Sequence, residues 1–178
     1  RAQAAQAEFV HWSEERVNAL LHDLAHAFAA KAEVLARLAV QETRIGNVSD
    51  KVDKNLLASL YVLESLNGKI GYGVLDTDKA RRVTEIAAPA GVVFGIIPMT
   101  NPAATAIFKA LIALKTRNGI VFSPHPRAKR ATCEAARLVL EAAVKAGAPK
   151  DIIGWIDAPS VELSNALLHH PAIDLTPA

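Results

Sequence analysis

From residue 91 onward the sequence alternates between short apolar runs and longer amphipathic stretches, and this alternation most constrains the fold. Val92–Ile97 is followed by Pro102–Lys115, Ile120–Phe122 by Pro126–Lys145, and Ile152–Ile156 by Val161–His169. A last apolar run covers Ile173–Leu175. The short runs show no polar alternation, as is usual for strands buried on both faces. Strands alternating with helices across short connections predict a parallel sheet with right-handed crossovers. The expected fold class is therefore α/β, a Rossmann-like parallel sheet preceded by helices.

The region before residue 91 has a different rhythm. Val17, Leu20, Leu21, Leu24 and Phe28 fall on one helical face, with Ser13 placed to cap it. Val34, Leu35 and Leu38 continue such a face. Asp50 is placed to cap a further helix carrying Val52, Leu56, Leu57, Leu60 and Leu63, which Asn67-Gly68 would stop. Gly68, Gly71 and Gly73 then mark a turn region. Arg82–Ile86 reads as a strand joined to Gly91–Ile97 through Pro89-Ala90. The organisation expected is a helical segment over 1–67, a hairpin region over 68–90 and βα units over 91–178. A hairpin projecting from such a core leaves an edge that needs cover, which makes it an oligomerisation element.

Composition excludes several classes. With 51% hydrophobic residues the chain is not disordered. Its 20 basic and 18 acidic side chains give a net charge of +2, which is no nucleic-acid footprint. The longest apolar stretch, Ala87–Met99, is interrupted by two prolines and two glycines and falls short of the ~18 residues a membrane span requires. Arg1 opens an Ala/Gln-rich helical pattern with no signal-peptide character. The single cysteine cannot form an internal disulfide, so a cytoplasmic protein is expected.

In open α/β sheets ligands bind beyond the carboxyl ends of the strands. Pro98-Met99-Thr100-Asn101-Pro102, Ser123-Pro124-His125-Pro126-Arg127 and Asp157-Ala158-Pro159-Ser160 occupy those places. Two readings of Asn101 compete. Asn followed by Pro is a common way to start a helix. Alternatively, its side-chain amide donates to an oxyanion at the strand tip. Arg127, Lys129 and Arg130 also have two readings. They are either solvated charges, or cations set against the helix dipole because an anionic partner such as a phosphate offsets them.

Cys133 lies inside a helix with no histidine in register and reads as a packing residue. His169-His170 ends a helix, and adjacent histidines point apart, so no metal site is expected. Gly68, Gly71 and Gly73 follow a helix in the order G-x-x-G-x-G, which is not the dinucleotide fingerprint.

The segment Gly91-Val-Val-Phe-Gly-Ile-Ile-Pro-Met-Thr-Asn-Pro102 resembles the aldehyde dehydrogenase superfamily, in which an apolar strand ends in Pro-x-x-Asn-Pro or a near variant. Further matches follow in the same order: Ala103–Lys109, Leu114–Asn118, Phe122–Lys129, Ala146–Asp151, Gly154–Asp157 and Pro159–Asn165. Together with Glu42–Lys51 they resemble the CoA-acylating branch, in particular the N-terminal half of bifunctional aldehyde-alcohol dehydrogenases.

The resemblance implies NAD as cofactor, CoA as co-substrate and a small aldehyde or acyl-CoA as substrate. It implies self-association through the hairpin. It implies Asn101 as the oxyanion donor, with Ile96, Ile97, Pro98, Met99 and Thr100 along the nicotinamide side. Ser123, His125 and Pro126 would meet the adenosine half of the cofactor, and Arg127 a phosphate. In that family the nucleophilic cysteine lies downstream on a separate domain, and Cys133 does not match it. The Thr-Gly-Gly turn that follows the His-Pro-x-Ile-Asp stretch in relatives is not in this sequence, which runs Leu175-Thr-Pro-Ala178. The expectation is a partial NAD-binding domain without the catalytic domain. The other reading is a non-catalytic fragment, a nucleotide- or partner-binding module of the same fold.

Overall fold

The computed structural model describes residues 1–177; Ala178, the last residue of the expected βα region, lies outside the described residues. Three helices open the chain: α1 (Ala2–Phe9), α2 (Glu14–Ala29) and α3 (Ala32–Thr43). Ser13 starts α2 as its position predicts, its hydroxyl accepting from the Arg16 amide at 3.2 Å. The predicted stripe Val17, Leu20, Leu21, Leu24 and Phe28 is buried throughout. Burying each such large side chain stabilises by about 1.5–3 kcal/mol.

The next helical stretch departs from expectation in two ways. Asn47, and not Asp50, caps α4 (Val48–Leu56): its side-chain oxygen accepts from the Asp50 amide at 2.9 Å, which places Asp50 inside the first turn. A π-helical turn, Leu57–Tyr61, then separates α4 from α5 (Val62–Leu66). Its wider turn rotates the faces out of the 3.6-residue phase that the leucine spacing assumes. Leu57 is consequently 60% exposed, and the buried positions are Ala58 and the polar series Lys51, Asn55 and Ser59. Asn67 and the positive-φ Gly68 end α5 as expected.

Strand β1 (Gly73–Asp78) pairs antiparallel with β2 (Val83–Ala87). The partner of β2 is therefore the stretch beginning at Gly73, and not Gly91–Ile97. Asp78 makes the turn by accepting from the amides of Ala80 and Arg81, both at 2.9 Å, with Arg82 at φ 56°. The weak β-propensity of Gly73-Val-Leu-Asp-Thr-Asp78 hides this strand from a sequence reading.

Strands β3 (Val92–Ile97), β4 (Gly119–Pro124) and β5 (Ile153–Trp155) form the parallel sheet. They are connected by α6 (Pro102–Lys115) and by a 3₁₀ turn (Pro126–Ala128) leading into α7 (Lys129–Lys145). After α8 (Val161–Leu168) the chain returns to β3. The run Ile173–Leu175 makes only an isolated parallel bridge there, Leu175 to Val93. Asp174 secures the return: its carboxylate accepts from the Val92 amide at 2.7 Å. A Cβ on Gly91, whose φ is +130°, would lie 2.2 Å from that carboxylate, so this position requires glycine. Helices α2 and α3 pack over α6 and α7, and their apolar faces share one core with the sheet.

Candidate functional site

Strand β3 has β4 on one edge and the Leu175 segment on the other. The chain leaves β3 toward one neighbour and reaches the other only at its end, so β3 borders the switch point of the sheet. A crevice at the carboxyl end of such a strand is the usual ligand site of an open α/β fold.

The residues singled out on the sequence lie at or beside that strand end, Ile97 and Ser123 among them with buried side chains. Ile96 is 44% exposed despite being apolar, Pro98 and Thr100 are exposed, and Met99 is half-buried. The Ile97 side chain is buried in the core, because strand alternation sends it to the face opposite Ile96. Its carbonyl is also engaged, accepting from the His125 amide at 3.2 Å. Ile97 thus supports the site from behind and does not line it.

The tip of β4 lies alongside, in a register that sets Ser123 beside Ile96. Ser123 is buried and its hydroxyl meets that of Ser164 on α8 at 3.1 Å, which pins α8 to the strand tip. His125 is half-buried, and its Nδ1 accepts from the Arg127 amide at 3.1 Å, fixing the turn in which Pro126 stands exposed.

Asn101 resolves its two sequence readings between backbone and side chain. Its carbonyl accepts from the Thr105 amide at 3.0 Å and so begins α6, with Pro102 at the first helical position. Its side chain makes no capping hydrogen bond. Its backbone (φ −139°, ψ 63°) lies outside the extended range of an ordinary cap. The helix is started without the amide, which leaves that group available. Asn101 also borders an open groove of about 370 Å³ walled by Leu57, Ala58, Val62, Ala104 and Phe108. Leu57 reaches this wall through the π-helical turn.

Three charged residues here escape sequence reasoning. Lys51 is buried, and its Nζ donates to the Thr100 carbonyl at 2.6 Å. Burial, and secondarily the charge of Lys54, pushes its pKa below the usual lysine value. The signal was the spacing Lys51–Asn55–Ser59, a polar stripe at helical period in a segment judged only by its leucines. Lys109 on α6 donates to the Pro177 carbonyl at 3.1 Å, and burial lowers its pKa too.

Glu42 is the third. It reaches from α3 to the start of α7 and accepts from the Arg130 and Ala131 amides, each at 2.8 Å. The anion offsetting the positive end of α7 is thus supplied by the chain itself. Of the two readings of Arg127, Lys129 and Arg130, this carboxylate favours the one in which they are solvated charges.

Cys133 belongs to a separate hollow with Arg130, Trp155 and Asp157. Burial, reinforced by Asp157, pushes its thiol pKa up against the opposing pull of Lys129. A thiol held protonated is a poor nucleophile. Among the described residues no helix is long and apolar enough to cross a membrane, and no group of three or more His, Cys, Asp or Glu side chains could hold a metal ion.

The model of the aldehyde dehydrogenase family matches residues 1–176. The chain is 53% identical over 175 residues to the bifunctional aldehyde-alcohol dehydrogenase AdhE of Escherichia coli K12, covering 98% of this chain and 20% of that protein. It superposes with a TM-score of 0.95 and 46% identity on an acetylating aldehyde dehydrogenase from Geobacillus thermoglucosidasius, covering 98% of this chain and 39% of that one. A propionaldehyde dehydrogenase from Rhodopseudomonas palustris, solved with bound propionyl-CoA, is 27% identical with a TM-score of 0.86 over 99% of this chain and 39% of that one. The chain thus spans about a fifth of the length of its curated relative.

Proposed function

This chain belongs to the aldehyde dehydrogenase family, and on that premise we propose that it forms part of an acylating aldehyde dehydrogenase interconverting a short aldehyde and its acyl-CoA. The observation that carries the reading is the uncommitted Asn101 amide, placed at the switch-point crevice beside an apolar groove. Attack on an aldehyde carbonyl turns its oxygen into an alkoxide. The Asn101 N–H donates to that oxygen, a contribution of about 3 kcal/mol in comparable sites. The walls formed by Leu57, Val62 and Phe108 offer an apolar surface to the aliphatic part of the substrate. The nucleophile is a cysteine outside these residues, because Cys133 lies in another hollow with its thiol held protonated.

The crevice fits a nicotinamide cofactor, NAD in our reading: exposed Ile96 and Pro98 offer an apolar face beside Thr100, and the Ser123–Pro126 turn lies next to them for the adenosine half. When bound, that cofactor supplies a hydride acceptor. Residues 1–178 are thereby a partial cofactor-binding domain. The hairpin β1–β2, with Val74, Val83 and Ile86 exposed, joins it to another copy in a homo-oligomer.

The test is turnover by the complete polypeptide carrying this segment, given acetaldehyde and CoA with NAD or with NADP. The expected result is acetyl-CoA formation that stops when CoA is omitted and runs faster with NAD. Free acetate formed at an unchanged rate without CoA would overturn the acylating assignment. Absence of both turnover and nucleotide binding would favour a non-catalytic module.

A further inference from the structure

Among the described residues three cationic side chains are buried, and one of them is treated differently. Lys115 and Arg117 each contact the Glu14 carboxylate. Lys51 is 6% exposed, yet among the described residues no carboxylate lies within 4 Å of its ammonium. A buried charge without a counter-ion costs stability, so its retention calls for a local use. Its recorded partner is the carbonyl of Thr100, the residue before Asn101. Lys51 and Asn101 also border one small hollow, distinct from the cofactor crevice and from the apolar groove and too small for more than about one water. Beside Lys51 on α4 and the π turn, the other buried polar groups are satisfied within the helical layer: Asn55 donates to the Ala32 carbonyl at 2.9 Å, and Ser59 to the Asn55 carbonyl at 2.7 Å. Lys51 alone in this stripe points out of the layer to the strand tip.

We propose that Lys51 is a positioning residue: its contact with the Thr100 carbonyl anchors the Thr100–Asn101 peptide and so holds the Asn101 side chain where its amide is open to substrate. The mechanism follows from the backbone. The peptide that presents the Thr100 carbonyl to Lys51 is the one through which the chain enters Asn101, and it sets φ of that residue, −139°, close to the −138° of the capping residue Ser160; the departure from cap geometry lies in ψ, 63° against 164°. Released from Lys51, the Thr100–Asn101 peptide is free to rotate, and the direction of the Asn101 side chain turns with it. The amide then no longer points to the place where the oxyanion forms. This inference rests on the role proposed above for Asn101.

The experiment is a double-mutant cycle in the complete acylating enzyme, with kcat, KM and thermal midpoints measured for Lys51→Met, Lys51→Arg, Asn101→Ala and the double variant Lys51→Met/Asn101→Ala. Lys51→Met is expected to lower kcat about 10- to 100-fold, the scale of a misplaced catalytic group, with KM for the nicotinamide cofactor changed less than about twofold. In the Asn101→Ala background the same change should cost less than about twofold, because the group it positions is already gone. The thermal midpoint should hold or rise, since an unpaired buried charge is removed, and Lys51→Arg should recover part of kcat by keeping a donor. Losses that multiply in the double variant, or a Lys51→Met protein that melts early and loses cofactor binding, would show a merely structural lysine and overturn the proposal. An impaired Asn101→Ala beside an unimpaired Lys51→Met would overturn it while leaving Asn101 in place. A fully active Asn101→Ala would instead remove the functional reading on which it rests.

Discussion

Helix α6 begins and ends among buried polar groups, and the two ends use them differently. At the C-terminal end, Lys115 contacts Glu14 and donates to the Asn18 side chain at 2.7 Å. Arg117 donates to the Trp12 carbonyl at 3.3 Å, the Lys115 carbonyl at 2.8 Å and the Glu14 carboxylate at 2.8 Å. This cluster ties the N-terminal helices to the βα units, and every side-chain nitrogen of its two cations is engaged. At the N-terminal end, Asn101 starts the helix with its backbone only, and Lys51 touches a carbonyl with no counter-ion beside it. A satisfied network rigidifies; an unsatisfied one keeps interaction energy available for something that binds. The contrast separates scaffold from site along a single helix.

The comparison breaks most readily at the scaffold end. Glu14→Ala leaves two buried cations without their carboxylate and should lower stability by about 3 kcal/mol. Urea titration at an unchanged m-value would register this, and a loss under about 1 kcal/mol would show that the cluster is not the clamp described.

Glu42→Ala is expected to cost less, about 1 kcal/mol, by removing the carboxylate that caps α7 from α3. A shifted thermal midpoint that is insensitive to added phosphate would confirm that the chain supplies its own anion there. Restoration of the midpoint by phosphate would reopen an external partner.

The smallest effect is on pH dependence. Burial pushes the Glu14 carboxyl up, but hydrogen bonds from Lys115 and Arg117 outweigh it and hold the pKa below the ordinary value of 4.5. The unfolded chain therefore takes up this proton first as pH falls. The stabilisation is complete above pH 4.5 and declines as pH drops through the folded value. Acid titration of stability should be shallower in Glu14→Gln, and an unchanged profile would count against the pairing.

Much of this was legible in the sequence. Pro102 after Asn101 marks the start of α6, and the unbroken apolar runs 92–97 and 120–122 mark the inner strands, because local punctuation and burial pattern decide those elements. The π turn at Leu57–Tyr61 was not legible, since the leucine spacing fits an ordinary helix equally well and tertiary packing chooses the wider one. Strand β1 was hidden by its two aspartates and glycine. The roles of Lys51 and Glu42 depend on partners 49 and 88 residues away, and charged residues on an amphipathic helix ordinarily read as solvated. Ile97 was misplaced because a motif taken as a block ignores strand alternation.

The central claim is that the start of α6 is held open for chemistry and is not needed for folding. Asn101→Ala in the complete enzyme tests it most directly, with kcat and thermal midpoint measured on the same preparation. The variant should show kcat lower by about 100-fold or more with a midpoint within about 2 °C of the parent, since a missing oxyanion donor costs about 3 kcal/mol in the transition state and no cap is lost. An unchanged kcat, or an activity loss that only follows a lowered midpoint, would contradict it.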